Sequence, residues 1–311
     1  MALQLLLKVC TFTRNHRGKL LGASSFGLFA ANISYHIFPE LTFRKLYQSW
    51  SKGEPAQLSD RLHTLFRDVL EEANCGSPTG FTPFAAYGFH PVSAGVPWFP
   101  AGCLIGIPAN YKNTAEDGSG IVDRMLVVGG EEVDWNSDVG KRLRDTLIFS
   151  SDAQKFSLAR EAVHTQSSGP VIQASVAPAC FAAVCFSSVG LKQLLGLYSG
   201  PMLLRGVFNL LAIALGFTGY CLCYDSISQW LDYRADRKVA AVSRSYAQGG
   251  LEFYDKILAR NRILRGILGK QGEAMYAPSG NLFPKHKLRL KHAPYTCRRD
   301  RIQRSLAAMH S

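Results

Sequence analysis

Acidic side chains are missing from the start of this 311-residue chain: none occurs before Glu40, whereas Lys8, Arg14, Arg17 and Lys19 do. Charge of either sign is missing from Thr165 to Leu191 and again from Gly206 to Tyr224. Runs of that length exclude a solvated surface and leave two readings, a buried hairpin in a soluble core or a pair of membrane spans. Val171–Gly190 and Gly206–Tyr224 each approach the roughly 20 residues a spanning helix needs, which favours the spans. Disulfide spacing is missing too. Cys180, Cys185, Cys221 and Cys223 fall in the apolar runs, where cysteine acts as a small hydrophobe, and Cys10, Cys75, Cys103 and Cys297 are scattered. This usage fits a reducing compartment. Cys221 and Cys223 could be read as a soft-metal pair, but close neighbours on a helix do not share a face, and no cofactor is expected. Arginine/aromatic stacking motifs, zinc fingers and repeats are missing as well, which argues against nucleic acid as a partner despite a net charge of +12.

The charge that is present is unevenly placed: +4 over residues 1–39, −4 over 40–164, +2 over 165–224 and +10 over 225–311. A strongly basic segment beside a span stays on the side of synthesis or of import retention. The basic, acid-free residues 1–19 are similar to a mitochondrial targeting segment; a secretory signal would put its charge ahead of its apolar core, and here Leu3–Leu7 precedes most of the charge. The expected location is therefore the mitochondrial inner membrane, with the basic tail in the matrix. Two spans return the chain to the side it left, so residues 40–164 are expected there too. Residues 20–38 form a third uncharged stretch, diluted by Gly22, Ser24, Ser25, Gly27, Asn32, Ser34 and His36. As a span it would put the N-terminus in the intermembrane space.

Outside the spans, Leu58, Leu62, Leu65, Phe66, Val69 and Leu70 recur at helical spacing and predict a helix over Gln57–Asn74. Aromatics, Gly and Pro from Phe81 to Pro108, with the apolar run Gly102–Ile107, predict a small sheet. A second β-rich region is expected over Ile121–Trp135, around Met125–Val128. Helices are expected over Asp138–Phe149 and over Ser151–Thr165, the latter with Asp152 as N-cap. After the hairpin, Ile227–Leu268 reads as helix in two segments divided near Gln248-Gly249-Gly250. An irregular basic stretch to His292 and a helix over Arg298–Met309 follow. The composite is an α+β, mostly helical chain, with matrix regions 40–167 and 225–311 around spans 171–190 and 206–224.

Two short motifs flank the apolar hairpin: Ala159-Arg160-Glu161-Ala162-Val163-His164 before it and Asp232-Tyr233-Arg234-Ala235-Asp236 after it. In this order they resemble the HtpX-like membrane zinc metallopeptidases, where a helix with HExxH precedes a transmembrane hairpin and ExxAD follows it. In HExxH the histidines at i and i+4 face one way and hold zinc, and the Glu activates the bound water. Carried over residue by residue, Arg160 takes the first ligand position, Glu161 the general base, His164 the second ligand, Asp232 the third ligand position and Asp236 the Asp of ExxAD. Ser151–Ala159, Ala94-Gly95 with Gly102–Pro108, and Lys291-His292-Ala293-Pro294 with Arg298 to Ile302 extend the likeness to a leading helix, substrate-edge strands and a C-terminal element. An arginine cannot deprotonate at working pH, so it brings a positive charge to a dication's position. The resemblance thus implies a degenerate metallopeptidase-like domain with an inserted transmembrane hairpin, no metal and no catalytic residue. The alternative origin of Arg160, Glu161 and His164 is a polar stripe on an amphipathic helix.

The whole chain, with its basic start and three candidate spans, is similar to the transmembrane protein 177 family. That resemblance implies an inactive mitochondrial inner-membrane factor in early maturation of cytochrome c oxidase subunit II. It also implies two partners besides the lipid bilayer, subunit II and its dedicated chaperone. An active membrane zinc metallopeptidase with a non-standard ligand set, and a purely structural membrane scaffold, are the competing expectations.

Overall fold

The structure, a computed structural model, describes residues 4, 8, 11–13, 15–76, 78–112, 126–284 and 289–309. In chain order its elements are α1 (Arg17–Ile37), α2 (Phe43–Tyr47), β1 (Trp50–Ser51), β2 (Glu54–Pro55), α3 (Asp60–Glu72), β3 (Phe81–Ala86), β4 (Val92–Gly95) and β5 (Cys103–Pro108). There follow β6 (Val127–Val128), β7 (Glu131–Glu132), α4 (Asp138–Leu147), α5 (Ser151–Gln166), α6 (Gly169–Leu194), α7 (Met202–Ala240), α8 (Arg244–Ile267), α9 (Gly269–Met275) and α10 (Tyr295–Ala308). They fall into two units, Met1–Ser34 with Val171–Ser226, and Tyr35–Pro170 with Ile227–Ser311.

The first unit is helical. Among the described residues, α6 and α7 are the two helices long and apolar enough to cross a membrane. Their large apolar side chains lie open: Phe186 is 68% exposed, Leu210 69% and Leu215 72%. Water would penalise such a surface and lipid would not, so these helices are built for a bilayer. A Cβ at Gly216 would stand 2.5 Å from Val184 Cγ2, so the glycine lets the two helices approach closely. The expected third span is helical as α1, 21 residues long, but it is less apolar than the other two. Arg14 and most of residues 1–10 lie outside the described residues.

The second unit is organised around a three-stranded sheet in the order β3-β5-β4, with β3 parallel and β4 antiparallel to the central β5. Alternation along β5 sends Cys103, Ile105 and Ile107 to one face and Leu104 to the other, and both faces are covered. The first face packs with Leu62, Phe66 and Val69 of α3, Phe156, Ala159 and Ala162 of α5, Phe253 and Tyr254 of α8, and Ile302 of α10. Each large side chain fully buried there contributes about 1.5–3 kcal/mol. On the second face Leu104 meets Phe43, Phe84, Ala86 and Ala94.

Two boundaries differ from expectation for identifiable reasons. The α5 cap is Ser150, whose side chain accepts from Ala153 N–H at 3.2 Å and whose N–H donates to Glu252 Oε1 at 3.0 Å. Asp152 instead occupies the first turn, where its charge favours the helix dipole. The long helical stretch after the hairpin divides at 241–243, capped by Ser243 accepting from Tyr246 N–H, and not at Gly249-Gly250. Those glycines lie inside α8 against α5: a Cβ at Gly249 would fall 2.2 Å from the Asp152 carbonyl oxygen, and one at Gly250 2.7 Å from the Phe156 ring. They are contact residues, not breakers. The Ile121–Trp135 region contains the short hairpin β6–β7, while residues 121–125 lie outside the described ones.

Candidate functional site

Helix α5 carries Arg160, Glu161 and His164, the C-terminal part of α7 carries Asp232 and Asp236, and α10 brings Arg298. Position and packing together bring five of these side chains to one place. Arg160 Nη1 donates to Glu161 Oε1 at 2.5 Å and Nη2 to Asp232 Oδ1 at 2.7 Å, while Nε stands 3.2 Å from Asp236 Oδ1 without hydrogen-bond geometry. Arg298 grips Asp236 with both ends of its fork, Nε to Oδ2 and Nη2 to Oδ1 at 2.7 Å each, and its Nη1 lies 3.6 Å from Asp232. The side chains of Asp232, Asp236 and Arg298 are 5%, 4% and 3% exposed, so these charges hold one another in a region of low dielectric.

Four neighbours complete the cluster. Ser93 Oγ of β4 donates to Glu161 Oε2 at 2.6 Å, Tyr254 OH of α8 to Asp236 Oδ1 at 2.8 Å, and the backbone N–H of Ala293 to Asp232 Oδ2 at 3.4 Å. His292 Nδ1 stands 3.4 Å from the same Asp232 oxygen. The 291–294 segment and Arg298 thus both reach Asp232. Ser93 and Tyr254 carried no sequence signal: one lies in a four-residue strand, the other in the middle of an amphipathic helix.

Burial by itself would raise the Asp232 carboxyl, but Arg298, the bond from His292 and Arg160 outweigh it and hold the group well below the usual carboxylate range. Arg160 and Arg298 are both held above their ordinary range, the carboxylates overriding the cost of burial. His164 departs from this set. Burial, assisted by Arg160, lowers its pKa against the opposing pull of Glu161. Its ring makes no hydrogen bond to a described residue, and it lies against Gly169, where a Cβ would stand 3.4 Å from Cε1.

The donor set does not fit zinc. A dication needs free carboxylate or imidazole lone pairs, and here the carboxylates are committed to two permanent cations. Among the described residues no three His, Cys, Asp or Glu side chains are grouped as metal ligands. Chemically the arrangement is a clamp: two guanidiniums tie three carboxylates from α5 and α7 to α10 and, through Ser93, to β4.

The apolar helices α6 and α7 make this a transmembrane protein. The chain belongs to the Transmembrane protein 177 family, whose family model matches residues 111–287. It is 64% identical to Transmembrane protein 177 of Xenopus laevis over 98% of both chains. It is 52% identical to that of Danio rerio over 95% of this chain and 96% of the relative, and 44% identical to that of Homo sapiens over 96% and 94%. No solved structure matches it.

Proposed function

We propose that the chain is a catalytically inactive, metallopeptidase-like protein, with its membrane hairpin inserted in that domain between the two motifs and residues 20–38 as a third span. It works in the mitochondrial inner membrane, with residues 40–164 and 225–311 in the matrix. There it acts in early maturation of cytochrome c oxidase subunit II and stabilises that subunit's chaperone. One observation carries the inactive reading. Where the resemblance puts the first zinc ligand stands Arg160, its guanidinium 2.5–3.2 Å from Glu161, Asp232 and Asp236. The acid-free start and the +10 tail support the location.

The holding role is supported by the edge of the sheet. Segment 47–49 covers the outer side of β3, through Ser49 N–H to Ala85 O and Tyr87 N–H to Tyr47 O. On β4, Val96 N–H bonds Gly102 O across the pair, so by the alternation of antiparallel ladders Ser93 turns its backbone N–H and C=O away from β5. An extended segment of a membrane-protein client adds to that edge by backbone pairing, beside a cluster that cannot cut it.

The test uses full-length protein purified from mitochondrial membranes. It should carry no stoichiometric zinc and should retain newly made subunit II. Ser93→Pro, which removes one outward N–H, should lose the client, and Ser93→Ala, which removes only the hydroxyl, should keep it. Stoichiometric zinc would sink the inactive reading, and capture untouched by Ser93→Pro would sink the edge as the holding surface.

A further inference from the structure

A second polar site lies in a cavity of about 260 Å³ between the C-terminal part of α7 and α10. Trp230, Tyr233, Arg234 and Arg237 line it from α7, and Arg301 and Arg304 from α10. The spacing is helical on both sides, so each helix presents one face. Asp236 also lines the cavity, but its oxygens are engaged by Arg298, Tyr254 and Arg160. Among the described residues none of the four lining arginines is within ion-pair distance of a carboxylate, whereas Arg160, Arg298 and Arg299 close by are. Two are instead laid on aromatic rings, Arg301 with Cζ 3.5 Å from the Tyr233 centroid and Arg234 with Cζ 5.2 Å from that of Trp230. Four cations gathered around one cavity without counter-charge repel one another, and an anion filling the cavity removes that cost.

The position on α7 indicates which anion. Trp230 follows Tyr224, the last residue of the uncharged run, by six positions of one unbroken helix, a rise of roughly 9 Å. The headgroup layer beyond the hydrocarbon is roughly 5–7 Å deep on each side. Helical side chains lean toward their own N-terminus, which in α7 is the direction of the uncharged run, and the Arg234 guanidinium does lie back over Trp230. Tryptophan and tyrosine beside arginines at this depth are the usual furnishing of a membrane interface. We propose that this cavity binds the phosphodiester headgroup of an anionic phospholipid, the guanidiniums holding the phosphate and the Trp230 and Tyr233 rings facing the glycerol region. An extended basic stripe would suit RNA; a single cavity on two helix faces does not.

Full-length protein in neutral detergent, examined by native mass spectrometry, tests this with cardiolipin or phosphatidylglycerol, phosphatidylcholine, inorganic phosphate and a single-stranded RNA oligomer as separate additions. The anionic lipids should be retained and phosphatidylcholine should not. Arg301→Gln/Arg304→Gln should weaken retention roughly thirty-fold, since each arginine at an anionic lipid surface contributes about a factor of five. Independently of any variant, a photoreactive anionic phospholipid should label peptides containing 230–237 and 301–305 in the wild-type protein. Labelling elsewhere, retention unchanged in the double variant, inorganic phosphate retained as well as the lipid, or RNA outcompeting the lipid would each overturn the proposal.

Discussion

Arg160 Nη2 and Asp232 Oδ1 meet at 2.7 Å across 72 residues of sequence, and both uncharged apolar runs, 165–191 and 206–224, lie within that interval. The pair therefore closes the chain around its membrane hairpin. Asp232 is also approached by Arg298 at 3.6 Å, so removing one arginine leaves it partly compensated and removing the other leaves Asp236 without its bidentate partner. Arg160→Met and Arg298→Met are each expected to lower stability by about 3–5 kcal/mol, with Arg298 the costlier, because a buried charge left alone is penalised more than an intact pair is rewarded. Arg160→Met/Asp232→Asn should cost less than the sum of its parts by about 0.5–3 kcal/mol. Chemical denaturation of the detergent-solubilised proteins measures both, and strict additivity would deny the coupling.

Gly249 makes a contrary case for helix propensity. Alanine in an exposed helix interior is favoured over glycine by about 1 kcal/mol. At this site the added Cβ would meet backbone, the Asp152 carbonyl oxygen at 2.2 Å, and α5 and α8 would have to separate. Gly249→Ala should therefore destabilise by about 1–3 kcal/mol, the usual cost of overpacking. The exposed Gly266, with nothing within 4 Å of its Cβ position, should respond in the opposite direction. The difference in unfolding midpoint between the two variants is the measurement.

The same glycines mark what a single sequence conceals. Gly249-Gly250 reads locally as a breaker, and only the approach of α5 explains why the helix runs through it. Ser150 and Asp152 are both good caps, and Glu252, distant in sequence, favours Ser150 by pairing with it. By contrast the apolar hairpin, the amphipathic α3 and the two motif helices were legible, because length without charge and helical spacing are local properties. The meeting of Arg160 with Asp232 and Asp236 was legible only through the resemblance, and the part played by Ser93 and Tyr254 only through the fold.

Two histidines should give the protein a stability that declines below neutral pH. His90, enclosed beside Arg260 and bonded to its Nη2 at 2.9 Å, has its pKa lowered well below the ordinary value by burial and then by Arg260 and Arg160. His164 is lowered as well, by burial first. A lowered pKa means the folded protein stays neutral where the unfolded chain takes up a proton. Stability is therefore full above the unfolded value of about 6.5 and falls as pH drops below it, by up to about 1.4 kcal/mol per pH unit for each histidine. The Asp232 contribution comes from the charged form, its carboxyl held ionised by its cationic partners, and begins to be lost only below about pH 4, so its onset lies well below that of the histidines. His90→Gln keeps an acceptor for Arg260 and should reduce the slope between pH 6.5 and about 5; an unchanged slope would remove His90 from the account.

Glu161→Gln distinguishes a holding protein from a peptidase. In a peptidase this side chain is the general base, and its loss typically lowers proton-transfer catalysis by about 10²–10⁴. Here Glu161 accepts from Arg160 at 2.5 Å and from Ser93 at 2.6 Å, so the substitution is not silent. The amide oxygen can still accept one of those bonds. The charge count also improves, since the cluster holds three carboxylates against two guanidiniums and the variant leaves two against two. The expected structural cost is thus small, about 1 kcal/mol, the net worth of one buried hydrogen bond. Subunit II accumulation in cells carrying Glu161→Gln should match wild type, while Arg298→Met, which breaks the clamp, should impair it through loss of the protein. If Glu161→Gln abolishes accumulation at undiminished protein level, the carboxylate does chemistry and the inactive reading fails.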